Sequence, residues 1–321
     1  MLCKRFIELE REERQELFSF VSTFGANAYC RSLPEMEKDF LGEVFNGGRN
    51  CITVWESNGT AVGTLGIITK EAAKRGEVFL TAMHVAPERV DVLPLLLAEA
   101  GRIALAENGV NPGAILRLGV RGEQGHLCDG AIRSGFAPAY RMLELRRDAK
   151  RPDADQGLVA AAGAAAAGTV TADGAAMSFV PLAPGKLNDF VDVHNAAFSD
   201  TPNGGSISLT EAEEMLKESA EPDFIQLGYV DEKPALVLML SLESETGWVL
   251  GLGVVPRFQG NGLGKVALRH AIAVLEKRGV AEVRLTVAET NTRALNLYQR
   301  HGFVLDKVRS TWFTGSLWRD S

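Results

Sequence analysis

The sequence predicts an α+β chain in which strands and helices are mixed and one domain is held twice. Three observations carry this. "AILRLGVRGEQGHLCDGAIRSGF", from Ala114 to Phe136, aligns without a gap with "AEVRLTVAETNTRALNLYQRHGF", from Ala281 to Phe303, at an offset of 167. Arg117-Leu118 falls under Arg284-Leu285, Val120 under Val287 and Gly135-Phe136 under Gly302-Phe303, while upstream "MHVAP" (Met83–Pro87) lies under "LGVVP" (Leu252–Pro256). In the second copy an apolar β-branched run leads through a glycine-rich turn into a helical stripe. Between the copies lies a stretch, residues 148–177, with almost no large apolar side chain.

Taken in chain order, the N-terminus, "MLCKRFIELEREERQELF", is charged where a secretory leader would carry an apolar segment. No apolar run reaches the roughly 18 residues of a membrane span. The four cysteines, Cys3, Cys30, Cys51 and Cys128, all fall in the first half with no close metal-type pairing, and read as free thiols of a reducing compartment. A cytoplasmic location follows by elimination. With 321 residues, 46% apolar and 23% charged, the chain has length for two ordinary domains. A net charge of -7 and a pI near 5.4 argue against a nucleic-acid footprint.

The expected division is a first domain over 1–147, a linker over 148–177 and a second domain over 178–321. The linker, rich in Ala, Gly and Asp, buries too little surface to offset the entropy of ordering. Its alternative reading is a short Ala-rich helix over Leu158–Ala167, weakened by Gly163 and Gly168.

In the second domain "GWVLGLGVV" reads as a buried strand that Pro256 ends. Further on, Leu268, Ala271, Ile272 and Leu275 recur at i, i+3, i+4 and i+7, the stripe of an amphipathic helix. Lys277 and Arg278 suit its last turn and Gly279 the position just beyond. At the strand-to-helix corner stand Gly260, Gly262 and Gly264. Either they serve the backbone dihedrals of a loop, or they bare the first helical amides so that a phosphate or pyrophosphate approaches the main chain. A P-loop needs a hydroxyl where Val266 stands, and a dinucleotide fingerprint needs glycine where Lys265 stands. Both fail on spacing.

The spacing that fits is Gln-x-x-Gly-x-Gly, at Gln259, Gly262 and Gly264, preceded by Val254-x-Pro256. It resembles the acyl-CoA signature of the GCN5-related N-acetyltransferase (GNAT) family. A second block agrees, since "NTRALNLYQRHGF" is similar to that family's helix at Asn291, Ala294, Leu297, Tyr298, Gly302 and Phe303. The resemblance covers about Met177 to Leu317. It implies two tandem GNAT-like domains, each with a mixed, mostly antiparallel sheet flanked by helices and splayed open near its middle.

The same resemblance implies acetyl-CoA as co-substrate and no metal. The strand ending at Val255 would expose backbone groups to the pantetheine arm, with the Val254 amide, or a neighbour's, polarising the thioester carbonyl. Amides of Gln259, Gly260, Asn261, Gly262, Leu263, Gly264 and Lys265 would hold the pyrophosphate. Asn291 either hydrogen-bonds the pantetheine or caps its helix. Tyr298 is either a core aromatic or the general acid that protonates the departing thiolate. The strand "WVLGLGVV" carries no carboxylate to take the amine's proton; Glu243 and Glu245, in "SLESETGW", are the nearest in sequence, and His194 is an outsider. With no cysteine in this half, transfer would go directly to the amine.

The first copy lacks the signature. "VDVLPL" from Val90 stands under Gln259–Gly264, Ala131 under Tyr298 and Gln124 under Asn291. It reads as a degenerate copy. The sequence therefore points to an acetyl-CoA-dependent N-acetyltransferase acting on a primary amine of a small molecule or peptide, with no nucleic-acid or membrane partner, as monomer or homodimer. The alternatives are a non-catalytic acyl-CoA sensor and a tandem enzyme of the mycothiol-synthase type. Specificity would come from loops such as "FSDTPNGGSISLTEAEEML", Phe198 to Leu216.

Overall fold

The computed structural model describes residues 1–24, 32–107, 109–149, 169–172, 175–202 and 204–316. Two compact units emerge, one of Met1–Met142 with Val308–Ser321, the other of Leu143–Lys307. The Ala-rich helix considered for Leu158–Ala167 lies outside the described residues.

The first unit begins with β1 (Leu2–Arg5), α1 (Arg11–Ser22) and α2 (Leu33–Phe40). Next come β2 (Cys51–Trp55), β3 (Ala61–Ile68), α3 (Ala72–Arg75) and β4 (Glu77–Val85). Then α4 (Leu93–Ala106), β5 (Ile115–Arg121), α5 (Cys128–Arg133) and β6 (Ala137–Asp148) follow, β6 running on into the second unit. Its sheet runs β1-β2-β3-β4-β5, antiparallel at every step except the parallel pair β4–β5. On α4, Leu93, Leu96, Leu97, Ala100, Ile103 and Ala104 repeat at helical spacing and are buried against the sheet. Truncating one of these leucines to alanine costs about 2–5 kcal/mol.

The second unit adds β7 (Thr169–Ala172), β8 (Ala175–Pro181), α6 (Leu187–Phe198), α7 (Leu209–Glu218) and β9 (Ile225–Val230). It continues through β10 (Lys233–Glu243), β11 (Thr246–Val254), α8 (Leu263–Glu276), β12 (Glu282–Ala288), α9 (Thr292–Arg300) and β13 (Val304–Ser316). Strands are ordered β6-β12-β11-β10-β9-β8-β7, with β11–β12 parallel and the ladders from β11 out to β7 antiparallel. Alternate residues face opposite sides. Val237 and Val255 pack with α6 and α7, whereas Leu236 and Val254 pack with α8.

Two features depart from the expected division. Thr169–Ala172 pairs with β8 as a strand inside the stretch read as linker; Thr169, Val170 and Thr171 form its one β-branched run, and such residues fit a pleated surface. The outer part of β13, Ser310–Ser316, pairs with β5, so sequence likeness groups these residues with the second copy while their hydrogen bonds put them in the first unit's sheet.

Elsewhere the elements fall where the periodicity predicts. Strand β11 stops before Val255–Pro256, and Leu268, Ala271, Ile272 and Leu275 are all buried on α8. Lys277 is the C-cap of that helix and Gly279 adopts φ +75°, so the two basic residues lie at and just past its end.

Candidate active site

The site is built where β11 leaves β12. Their parallel pairing covers only Thr246↔Glu282 to Val249↔Leu285, although β11 runs on to Val254 and β12 to Ala288. A bulge contributes to the divergence: β10 shifts register between Met239 and Leu240, which pair with Gly251 and Val249, leaving Leu250 as the extra residue. Beyond it, β11 keeps only its β10 partner. Because the Val255 amide donates to Ala235 O at 2.9 Å, alternation turns the Val254 N–H to the other side, into the gap. The Val254 carbonyl faces the same way and accepts from Gln259 Nε2 at 2.9 Å.

At the corner after β11, Gly260 and Gly262 adopt φ of +94° and +74°, conformations that L side chains rarely take. Gly264 is different. It sits in the first turn of α8, where alanine is preferred by about 0.5–1 kcal/mol, and an added Cβ would meet only Leu297 Cδ2 at 3.5 Å. The fold itself has no need of glycine there. Gly262 is the N-cap and no side chain caps α8, so its first amides face the gap with the positive end of the helix dipole.

Across the gap stands α9. Its N-cap, Asn291, accepts from the Ala294 amide at 3.1 Å, so the capping role foreseen for it is made. Tyr298 is 8% exposed with its ring edge-on to Phe303 at 6.0 Å. Burial alone pushes its pKa up to about 12, which keeps the phenol protonated at neutral pH. No described residue bonds its hydroxyl. Together β11, α8, α9 and the end of α6 enclose a cleft of about 1070 Å³. Val254, Gln259, Gly260, Gly262, Leu263, Gly264, Lys265, Asn291 and Tyr298 all line it. So do three arginines that the motifs do not include, Arg269, Arg293 and Arg300. Arg293 donates to Gln259 Oε1 at 3.0 Å and ties the start of α9 to the glycine corner. With Lys265, these bring four basic side chains into the lining.

Residues 190–303 match the model of the Acetyltransferase (GNAT) family. These residues, within the second unit, carry the GNAT-family domain. Over 111 residues it is 35% identical to a mycothiol acetyltransferase of Beutenbergia cavernae, a match covering 33% of this chain and 37% of that protein. The first curated relatives are thus matched over little more than a third of their length. Among solved structures, a GCN5-related N-acetyltransferase from Sphaerobacter thermophilus superposes with a TM-score of 0.68 at 16% identity, covering 98% of this chain and 95% of that one. A tandem GNAT protein from the clavulanic acid biosynthesis pathway gives 0.62 at 14% identity, covering 100% and 99%. At such identities these likenesses speak for the fold, which is α+β throughout.

Not every residue expected at the GNAT site is brought to it. Val255 turns the other way, its side chain under α6 and its amide on Ala235. Asn261 is exposed and does not line the cleft. Glu243 and Glu245 lie at the hairpin turn joining β10 to β11. Val254, at the gap, is eight residues along β11 from that turn, about 26 Å at roughly 3.3 Å per residue. Nearness in sequence does not become nearness in space because the strand carries the chain straight away from its own hairpin. His194, the outsider among the candidate bases, is 8% exposed and packs its ring with Phe190 and Phe198. It does not line the cleft.

The first unit diverges at the equivalent point. There β4 pairs with β5 only from Glu77↔Ile115 to Leu80↔Leu118, then continues to Val85. Gln124, aligned with Asn291, is fully buried in that gap. Its Nε2 donates to Met83 O at 2.7 Å and its Oε1 accepts from the Val85 amide at 3.0 Å. Met83 and Val85 are the counterparts of Leu252 and Val254. Of the bulky residues that stand under the glycine corner, Val92 and Leu93 are buried in the core and Val90 packs against it partly buried.

Proposed function

We propose that the second unit is an acetyl-CoA-dependent N-acetyltransferase that passes the acetyl group directly to a primary amine of a small molecule or peptide. The observation that carries this is the convergence of a strand amide with no strand beside it, Val254 N–H, and the uncapped start of α8 on one cleft. Diphosphate oxygens would take the amides of Gly262, Leu263 and Gly264, the Lys265 amide being bonded to Gly262 O at 3.0 Å, with the Lys265, Arg269, Arg293 and Arg300 side chains around them. The pantetheine arm would lie along the open edge of β11 as an added strand does. There the Val254 N–H would donate to the thioester carbonyl and to the oxyanion that forms from it.

In that arrangement the amine nitrogen attacks the carbonyl carbon, and the C–S bond breaks as the amide forms. The leaving sulfur receives a proton from the Tyr298 phenol, and the proton lost by the amine returns the phenol to its starting state. Burial, by raising the Tyr298 pKa to about 12, keeps the phenol protonated until the thiolate forms. Among the described residues no cluster of His, Cys, Asp and Glu is suited to hold a metal, and the proposed chemistry has no step that requires one. No helix among the described residues is long and apolar enough to cross a membrane; a cytoplasmic location is part of the proposal.

The relative named above as a mycothiol acetyltransferase makes a mycothiol-type amine a reasonable member of a first substrate panel. The test has two arms. Acetyl-CoA should stabilise the protein against thermal unfolding in a concentration-dependent way. Free thiol should then be released only when an accepted amine is added. Binding without release for any amine would leave a sensor; no binding would remove the assignment.

A further inference from the structure

The cleft has a second side, formed where α6 ends. Gly251 and Gly253 of β11 lie bare beneath this end: a Cβ on Gly253 would come within 2.8 Å of Phe198 Cζ and 2.9 Å of Ala197 Cβ. Phe198 therefore sits on the strand beside Val254, and the residues after it, Ser199 to Pro202, pass along the rim of the same cleft.

This exit is held in place by three separate contacts. The backbone amide and hydroxyl of Thr201 donate to Phe198 O at 3.1 and 2.8 Å. Gly204 packs so closely that a Cβ there would stand 2.1 Å from the same carbonyl. Asn195 clips the returning chain, with Nδ2 donating to Ile207 O at 2.9 Å and Oδ1 accepting from the Ile207 amide at 2.8 Å. Beyond the clip, Ser208 and Glu211 form a capping box that starts α7.

Asp200 is carried by this fixed segment and is the one carboxylate among the described residues that line the cleft. No described cation pairs with it. The other charged residues of the lining, Lys265, Arg269, Arg293 and Arg300, are all basic and are carried by α8 and α9. Such a division of charge between elements suits a co-substrate bearing phosphates along α8 and α9 and a second substrate of opposite sign at the end of α6.

We infer that Asp200 is the acceptor-binding residue of the second unit, pairing with the ammonium group of an aliphatic amine as it enters beside Val254. This rests on the acetyltransfer reading and adds to it a substrate class: aliphatic amines that are cations in solution, in preference to arylamines that are neutral. A carboxylate at this place holds the ammonium next to the thioester until its proton leaves to solvent and the lone pair is free to attack.

The experiment uses the full chain with acetyl-CoA, taking n-butylamine and aniline as probes at pH 7.5, and compares the wild type with Asp200→Asn and Asp200→Glu. Acetyl-CoA binding is measured first, so that its absence is charged to the acetyltransfer reading and not to Asp200. Asp200→Asn should raise KM for butylamine by about tenfold or more, as expected for loss of a charged hydrogen bond. The KM for acetyl-CoA and the kcat/KM for aniline should stay as in the wild type, and Asp200→Glu should recover most of the loss. The inference is overturned if butylamine KM is unchanged in Asp200→Asn, if aniline falls equally, or if a wild type that binds acetyl-CoA turns over neither amine.

Discussion

In each unit a strand leaves its parallel neighbour at the equivalent position, β4 after Leu80 and β11 after Val249. The two gaps have opposite fates. In the first unit the Gln124 amide makes to Met83 and Val85 the pair of hydrogen bonds that an adjoining strand would make. In the second, the equivalent helix starts with Asn291, whose side chain turns back on its own helix, and the strand edge stays open. The splay is thus a property of the fold and not of any ligand. Whether it binds a guest depends on which side chain reaches the exposed peptide groups and on whether the next corner is bare. One closed gap explains why the first unit tolerates Ala131 where the second has Tyr298, and a glycine-free stretch where the second has its glycine corner.

The contrast is broken or sharpened by four measurements. The largest effect is expected from Gly262→Val, which forces a β-branched residue to φ +74° and puts its branches over the α8 amides. Acetyl-CoA affinity should fall by about 100-fold or more, with circular dichroism showing a folded protein destabilised by about 1–2 kcal/mol. Unaltered binding would mean that the corner is not the phosphate site.

Acid should separate the units next. Burial holds His84 in the first unit down to about 4, and burial assisted by Lys277 holds His270 in the second down to about 4. Both are depressed from about 6.5, so their contribution is complete above pH 6.5 and is lost as pH falls towards 4. For His84, which is fully buried, the loss by pH 4 is on the order of 3 kcal/mol; His270 is only partly covered and should contribute less. His84→Leu should flatten the acid limb of the unfolding midpoint more than His270→Leu, and equal limbs would refute the difference.

Tyr298→Phe should reduce kcat by about 10- to 100-fold with acetyl-CoA affinity kept, because only the transferable proton is removed. Full turnover in this variant would return the ring to a packing role. Gln124→Ala leaves the Met83 carbonyl and the Val85 amide buried without their partner, so urea unfolding should show a loss of about 2 kcal/mol. It should give the first unit no affinity for acetyl-CoA, since β4 still leads into a corner without glycine; gain of a second binding site would show that Gln124 alone separates the two units.

Much of the site is legible in the sequence because its parts are local. A strand, two positive-φ glycines and an uncapped helix start follow one another between Thr246 and Glu276, and a helix N-cap three residues before its amide partner is a short-range pattern. What escapes is whatever depends on the third dimension. Glu243 and Glu245 are near Val254 in number and at the far end of a strand in space. The loop from Phe198 is legible as a source of specificity, but that its Asp200 reaches the cleft is not, because this depends on Phe198 packing on the bare faces of Gly251 and Gly253. Arg269 and Arg300 give no more signal than any helical arginine until α8 and α9 are set side by side.

By itself the sequence showed the α+β class and the strand–glycine corner–helix unit, which rest on local periodicity and spacing, the doubled pattern, which rests on two blocks aligned at an offset of 167, and, through the family resemblance, the tyrosine helix. The tertiary structure alone decided which gap is open, where the outer part of β13 pairs, and which charged side chains share the cleft. Those outcomes turn on contacts between segments far apart in the chain, such as Gln124 with Val85 or Phe198 with Gly253. Pairing of that kind is fixed by packing and by the need to satisfy buried peptide groups, and neither leaves a repeat in the sequence.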